Sequence, residues 1–291
     1  MRRAFEERLS ARRGIERDRF VWDYWHVPDQ YTYIRTFADE FFPSALYGGF
    51  RDHLMAWGRQ NLGCTKIVSP WLSYYVDGCR QELHSDIPHG PWAYVFSLTN
   101  WDKRTFTGGE TVLLRERTLD FWRSYDPSRF SELTSFVELI EPSFNRLTVF
   151  DPRIPHGVRL VEGTREPLDS RIAVHGWFAE PALILSEGIE EPQQRRVFEA
   201  TLAMLLQSLR DADGVNGLVT ARVDLSREGE VADARIVSSS LISTGNDTAE
   251  QVERAIVDFL AGASFPPPQD EGWAVVPISL PAAQGELERT A

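Results

Sequence analysis

The feature that most restricts the fold of this chain is a change of hydrophobic period between Ile67 and Phe178, where apolar and polar residues alternate every second position. Residues typical of turns, mainly Gly, Pro, Asp and Asn, separate the alternating runs. The runs are WLSYYV, AYVFSLTN, ETVLL, NRLTVF and RIAVHGWF. Short strands joined by frequent turns predict a curled antiparallel sheet, that is, a double-sheet jelly roll backed by helices.

Helical patterns precede the strands. The charged segment from Arg3 to about Arg19 predicts a helix, and the aromatic cluster from Phe20 to Trp25 predicts where this segment docks on a core. Pro43-Ser44 ends one element and caps a second helix, from Ala45 to about Leu62. The first part of the chain is therefore predicted to be mainly β with flanking helices.

A different pattern begins after Pro181. The predicted elements are a helix over 192–210, strands over 218–225 and 231–237, a helix over 248–260 and a strand over 273–280. This order describes a small α+β domain. We therefore predict two domains, residues 1–188 and 189–291, with the boundary in the stretch SEGIEEPQQ.

Charge and composition exclude several classes of protein. The 291 residues include 31 basic and 43 acidic side chains, a net charge of −12, so the surface repels phosphate backbones and no nucleic-acid partner is expected. No apolar run approaches the ~18 residues that span a bilayer, and the N-terminus has no apolar signal segment. Two cysteines, Cys64 and Cys79, are too few for a disulfide scaffold. We expect a soluble, cytoplasmic protein with no membrane partner.

The first candidate site residues lie in YVDGCRQELHSD, residues 75–86. Residues i and i+2 of an extended chain face the same side, so His84 and Asp86 can present an imidazole and a carboxylate to one ion. A histidine from a distant strand would complete two nitrogens and one oxygen on one face of the ion, leaving three octahedral positions open. This arrangement is typical of non-haem Fe(II) oxygenases, in which the open positions hold a co-substrate and dioxygen.

The second group of candidates lies between Phe150 and Phe178. His156 follows a strand and a proline turn, while Arg171 begins a strand on which His175 shares its face. An arginine in this position can bind a carboxylate through two parallel hydrogen bonds. His175 is the alternative to His156 as third metal ligand.

These residues carry a resemblance to a known family. They are Tyr75, His84-x-Asp86, the turn Thr107-Gly108-Gly109-Glu110, His156, and Arg171-x-Ala with Trp177. Together they resemble the 2-oxoglutarate- and Fe(II)-dependent dioxygenases of the prolyl-4-hydroxylase type, over about residues 30–180 of this chain.

The resemblance implies a double-stranded β-helix with Fe(II) bound by His84, Asp86 and His156. It implies 2-oxoglutarate and dioxygen as co-substrates, and succinate and carbon dioxide as co-products. Arg171 and Tyr75 would bind the far carboxylate of 2-oxoglutarate. The presence of Asp86 favours hydroxylation over halogenation, because no ligand position is vacated for a halide.

Three details of the sequence bear on these assignments. No lysine follows Lys103, so the far carboxylate is not bound by a lysine, as it is in the collagen-type enzymes. Arg165 is the rival of Arg171, although its Gly-Thr-Arg-Glu-Pro turn is typical of a solvated loop. His89 could form a local site with His84 and Asp86, but the tight loop disfavours that geometry, and we interpret His89 as a residue of the pocket rim.

One departure from some members of the family is the length of the link between His156 and Arg171, which is fifteen residues. The added length implies a longer turn before the strand that Arg171 begins. The register of this arginine on its strand therefore stays open.

The C-terminal segment carries a second resemblance. Residues 217–240, GLVTARVDLSREGEVADARIVSSS, and residues 265–280, FPPPQDEGWAVVPISL, resemble the C-terminal domain of TonB-type proteins and its relative in myxobacterial gliding-motility proteins. The membrane anchor and proline-rich spacer of TonB are not present, so energy transduction is not implied. The resemblance implies an edge strand that can pair with a protein partner.

These observations predict a dioxygenase that hydroxylates an unactivated carbon of a protein or peptide side chain, with the C-terminal domain binding the substrate or a partner. Two alternatives belong to other classes. One is a small-molecule oxygenase that modifies a free amino acid or a natural product. The other is a non-catalytic binding protein on the same fold, which the intact ligand set disfavours.

Overall fold

The computed structural model describes residues 1–10, 22–86, 89–115, 117–128 and 132–281. The chain forms two compact units, the first made of Met1–His53 and Ile67–Ala179, the second of Leu54–Lys66 and the chain from Glu180 onward. The predicted fold class, a mainly β jelly roll with flanking helices followed by a small α+β part, is confirmed. The domain boundary near residue 188 stays a prediction.

The elements up to residue 181 include four helices and eleven strands within the described ranges. The helices are α1 (Arg2–Ser10), α2 (Ala38–Phe41), α3 (Ser44–Leu62) and α4 (Arg117–Arg123). The strands are β1 (Asp23–Val27), β2 (Tyr31–Phe37), β3 (Cys64–Ile67), β4 (Trp71–Tyr75), β5 (Arg80–His84), β6 (Trp92–Ser97), β7 (Thr111–Leu114), β8 (Val137–Ile140), β9 (Leu147–Phe150), β10 (His156–Val158) and β11 (Arg171–Pro181). All five period-two runs are strands, namely β4, β6, β7, β9 and β11.

The sheet of the first unit is antiparallel and follows the order β8-β7-β10-β5-β2-β4-β11-β6-β9, with β1 paired to β2 as a hairpin. The strands β5 and β10, which carry the candidate ligands, are therefore neighbours. The strands β4 and β11, which carry Tyr75 and Arg171, are also neighbours. This topology brings the two motifs of the sequence together.

The position of β2 differs from the prediction, which placed no strand before Ile67. The strand lies in the middle of the sheet, between β5 and β4. Its sequence, YTYIRTF, does alternate, but Tyr and Arg share one side with Phe while Thr and Ile share the other. Because both faces mix polar and apolar groups, the period-two contrast is weak.

The predicted docking of the N-terminal helix and of the aromatic residues after it is found for some of these residues and not for others. Phe5 of α1 is fully buried, and its ring lies 5.7 Å from that of Phe41. Trp22 packs on the same phenylalanine at 5.4 Å. Tyr24 and Trp25 do not dock on this core, since they are 67% and 39% exposed. The predicted extension of the helix to residue 19 and the side chain at residue 20 lie outside the described residues.

The second unit has the predicted order of helix, two strands, helix and strand. From Glu180 onward its elements are β12 (Ile184–Leu185), α5 (Pro192–Ser208), β13 (Val215–Leu225), β14 (Val231–Ser239), β15 (Ile242–Ser243), α6 (Ala249–Ala261) and β16 (Gly272–Leu280). The sheet order is β12-β16-β13-β14, with β15 paired to β13. A capping box between Thr248 and Gln251 begins α6. The resemblance of this unit to the TonB-type domain stays a prediction.

None of the helices in the described part of the chain is both long enough and apolar enough to cross a membrane.

Candidate active site

A cavity of about 550 Å³ lies within the first unit and is lined by side chains from strands on both sides of β2. All five site residues expected from the sequence line it: Tyr75, His84, Asp86, His156 and Arg171. The two motifs, far apart in sequence, therefore converge on one cavity.

The three candidate metal ligands come from neighbouring strands. His156 of β10 lies directly opposite His84 of β5 in the antiparallel register, and Asp86 follows two residues after His84. The His156 Nε2 lies 3.2 Å from one Asp86 oxygen, and the His84 Nε2 lies 3.6 Å from the other. In the described part of the chain these three residues form a group whose ligand atoms all lie within 4.8 Å of one another.

The backbone orients both imidazoles. The Nδ1 of His84 is 2.8 Å from the carbonyl oxygen of Glu82, and the Nδ1 of His156 is 2.8 Å from that of Ile154. Because a carbonyl oxygen only accepts, each Nδ1 carries the proton and donates it. When the imidazole is neutral, this position of the proton leaves the lone pair on Nε2, which is the tautomer a metal ligand requires.

The backbone also holds the carboxylate, and aromatic rings restrict the imidazoles. The amide N–H of Asp86 donates to the carbonyl of Pro152 over 3.0 Å. The ring of Tyr31 packs edge-on against His84 at 4.8 Å, and that of Phe150 packs edge-on against His156 at 4.7 Å. The three ligand groups are thus positioned by contacts on several sides.

The protonation states of the group suit metal binding. Burial lowers the pKa of His84, so its imidazole is neutral at pH 7. Burial raises the pKa of Asp86, but the hydrogen bond and charge that His156 supplies when it is protonated, together with His84, outweigh burial and lower that pKa overall. At neutral pH the site therefore offers a neutral imidazole and an ionised carboxylate, the forms that bind a cation.

His175, the alternative ligand, lies on the cavity wall but has a different partner. Its Nε2 is 2.7 Å from the hydroxyl oxygen of Ser73. Burial, with a smaller effect of the Arg171 charge, lowers the pKa of His175 to about 3. His89 lies at the rim, where its exposed ring stacks on Trp177 at 4.4 Å.

Arg171 and Tyr75 form a buried pair on the opposite strands β11 and β4. The guanidinium carbon of Arg171 lies 4.5 Å from the centre of the Tyr75 ring, and its Nη2 donates to the hydroxyl of Thr111 over 3.2 Å. Arg171 is 2% exposed, and its Nε has no hydrogen-bond partner. Burial lowers the pKa of Arg171 and raises that of Tyr75, whose hydroxyl donates to the Gln81 side chain over 3.1 Å.

The Thr107-Gly108-Gly109-Glu110 turn packs beneath this arginine. Gly108 has a φ of +73°, and a Cβ there would lie 1.7 Å from the Leu160 carbonyl oxygen. Gly109 has a φ of +83°, and its Cβ would lie 3.4 Å from the Arg171 Cδ. Only glycine fits both positions without strain, which explains the paired glycines of the motif.

Arg165, the rival of Arg171, lies away from the cavity. Its side chain is 90% exposed and its Nε is 3.8 Å from an oxygen of Asp77. It is a solvated turn residue, as the Gly-Thr-Arg-Glu-Pro sequence indicates.

Sequence reasoning missed several cavity residues, chiefly Arg35 of β2 and the rings around it, Trp25 and Trp71. The only signal in the sequence is the alternation of Tyr31, Tyr33, Arg35 and Phe37, which places an arginine among aromatic residues on one face of a strand.

No protein-family model matches this chain, and no curated protein matches it. Solved structures do resemble it. They include a prolyl-4-hydroxylase from Pseudomonas putida, with 16% identity over 55% of this chain and 77% of that chain and a TM-score of 0.39. A prolyl hydroxylase from Trichoplax adhaerens, in complex with a hypoxia inducible factor peptide fragment, has 18% identity over 55% and 70%, with a TM-score of 0.38. A 2OG-Fe(II) oxygenase family oxidoreductase from Burkholderia pseudomallei has 14% identity over 54% and 70%, with a TM-score of 0.36.

Proposed function

We propose that this chain is a 2-oxoglutarate- and Fe(II)-dependent dioxygenase that hydroxylates an unactivated carbon. One observation carries the proposal. Two imidazole nitrogens and one carboxylate oxygen, from His84, His156 and Asp86, lie within 4.8 Å of one another on the wall of a cavity that also holds a buried arginine. Two nitrogens and one oxygen on one face are the ligand set of non-haem Fe(II) oxygenases.

The ligand residues fit the metal because their geometry leaves the right atoms available. The Nε2 atoms of His84 and His156 and a carboxylate oxygen of Asp86 would bind iron, while the two Nδ1–H groups stay on backbone carbonyls. Iron, with 2-oxoglutarate, supplies the activation of dioxygen, of which one atom enters a C–H bond and the other converts 2-oxoglutarate to succinate and carbon dioxide.

Arg171 and Tyr75 would bind the far carboxylate of 2-oxoglutarate. A buried guanidinium with an unpartnered Nε is costly unless an anion accompanies it. A carboxylate can accept two parallel hydrogen bonds from such a guanidinium. Tyr75 stays protonated, because burial raises its pKa, so its hydroxyl could donate to the same carboxylate in place of the Gln81 side chain.

We further propose a protein or peptide side chain as the substrate. In the second unit, β14 lies at the end of the sheet order, an arrangement suited to pairing with a strand of a partner or substrate.

The experiment that tests the activity is an anaerobic titration of the full-length chain with Fe(II) in the presence of 2-oxoglutarate. We expect one iron per chain and a charge-transfer band, which His156→Ala should abolish. His175→Ala should keep the band, because the Nε2 of His175 bonds to Ser73. The matched control is His53→Ala, which removes an exposed imidazole on α3.

The outcomes of this titration separate the alternatives. Loss of the band in His175→Ala but not in His156→Ala would move the third ligand to His175. If the unaltered chain gives no band and releases no succinate from 2-oxoglutarate in air, the dioxygenase proposal is wrong.

A further inference from the structure

Arg35 lies between two indole rings on the wall of the cavity. The rings of Trp25 and Trp71 both lie 3.9 Å from its guanidinium carbon. Two rings at that distance cannot share one face of a planar group, so they cover both faces. The ring of Phe37 stacks on that of Trp71, with 4.0 Å between the ring centres. We name Trp25, Arg35 and Trp71 the arginine clamp.

The clamp leaves hydrogen-bond donors of Arg35 without partners. A guanidinium has five N–H donors, all in its plane. The Nη1 of Arg35 donates to the Tyr33 hydroxyl over 3.3 Å, while its Nε is buried and has no partner. Within the described residues no carboxylate forms an ion pair with Arg35. Because the faces are covered, a ligand can reach the guanidinium only at its edge.

The charge of Arg35 is not balanced by the cavity wall. Among the described residues that line the cavity, Arg35 and Arg171 are cationic and Asp86 alone is anionic. With iron and 2-oxoglutarate bound as proposed above, the charges of the metal, Asp86, Arg171 and the doubly negative co-substrate cancel. The positive charge of Arg35 then remains in the same cavity, with no anion to accompany it.

We propose that Arg35 determines substrate specificity by binding a carboxylate on the molecule that is oxidised. This inference rests on the proposed function, because it names the substrate class of the same site. A carboxylate in the plane of the guanidinium accepts two parallel hydrogen bonds, and the two indoles hold the plane in place. The carboxylate belongs either to an acidic residue of a peptide or to a free amino acid.

The test measures binding of matched acids and amides to the full-length, metal-free chain by ligand-observed NMR. One pool contains free amino acids and their carboxamides. The other contains capped dipeptides with Asp or Glu and the same dipeptides with Asn or Gln. We expect members of one pool to bind at least ten times more tightly as the acid than as the amide. The pool that shows this preference identifies the source of the carboxylate.

The decisive variant is Arg35→Gln, which should remove the preference for the acid, whereas Arg171→Gln, which removes the other cation of the cavity, should keep it. The matched control is Arg104→Gln, because Arg104 also stacks on an indole, that of Trp101 at 3.8 Å, but does not line the cavity. Arg35→Met keeps an apolar stem between the rings and should behave like Arg35→Gln, which guards against a folding defect in the first variant. Arg35→Lys should recover only part of the preference, since it keeps the charge and loses the planar fork.

Several results would overturn the inference. They are equal binding of acids and amides, no binding from either pool, or an unchanged preference in Arg35→Gln. A fall in 2-oxoglutarate affinity in Arg35→Gln as large as in Arg171→Gln would instead assign Arg35 to the co-substrate. Failure of the proposed function is a separate result: the unaltered chain would give no iron and 2-oxoglutarate band, whatever the NMR measurement gives.

Discussion

A half-buried imidazole in the cavity wall makes the stability of this chain depend on pH. His175 is enclosed near Arg171, and burial followed by the charge of that arginine lowers its pKa to about 3. The unfolded chain has an ordinary histidine pKa near 6.5. Below pH 6.5 the unfolded state therefore binds a proton that the folded state does not. The resulting stability is complete above about pH 6.5 and is lost progressively as the pH falls towards 3.

The size of the effect follows from the shift. One pKa unit corresponds to about 1.4 kcal/mol, so acidification from pH 6.5 to 4.5 should cost about 2 kcal/mol through this one group. His175→Gln keeps an amide that can bond to Ser73 but cannot take up the proton. We expect this variant to lose about 2 kcal/mol less than the unaltered chain over the same interval.

The assay is urea unfolding at pH 6.5 and 4.5 in the presence of a chelator, followed by tryptophan fluorescence. The control is His53→Gln, which changes an exposed imidazole of α3 and should follow the unaltered chain. If His175→Gln loses as much stability on acidification as the unaltered chain does, His175 is not a neutral buried group, and the reasoning fails.

Two further predictions concern the co-substrate and the second unit. Arg171→Lys keeps the charge but loses the fork, so 2-oxoglutarate affinity in the charge-transfer titration should fall by about 1.5–3 kcal/mol. Arg165→Lys should change it little, and equal effects would refute the assignment. A chain ending at residue 188 keeps all cavity residues but loses the bond from Thr220 to the Leu62 carbonyl and the contact of Pro277 with Gly63. This shortened chain should unfold at a lower urea concentration than the full chain and should still bind Fe(II). Loss of metal binding would show that the cavity depends on the residues after 188.

The parts of the fold that could be predicted are those with strong local patterns. The period-two runs and the two amphipathic helices of the second unit gave elements whose bounds agree with the structure to within a few residues. The helix that ends at Leu62 was predicted almost to its first residue, because Pro43-Ser44 marks its start. The hairpin of β1 and β2 was missed, since its two faces do not differ enough in polarity to give a clear period.

The candidate site also has a part that the sequence predicts and a part that it does not. His84 and Asp86 are close together in sequence, and the proline turn and the strand that follows it indicate His156 and Arg171. Arg35 could not be found, because its setting depends on Trp25 from β1 and Trp71 from β4. Contacts between strands are fixed by long-range pairing, and one sequence alone does not contain the register.

The opposition of His84 and His156 across two neighbouring strands has a consequence for how this protein can change during evolution. Asp86 and His156 are 70 residues apart in the chain, yet the pairing of β5 with β10 brings them together. Lengthening a closed loop costs little entropy, so insertions between these strands can be large without moving the ligands. A single residue inserted within either strand would turn its imidazole to the other face of the sheet. Variation in length should therefore be tolerated in the connections and rejected within these two short strands.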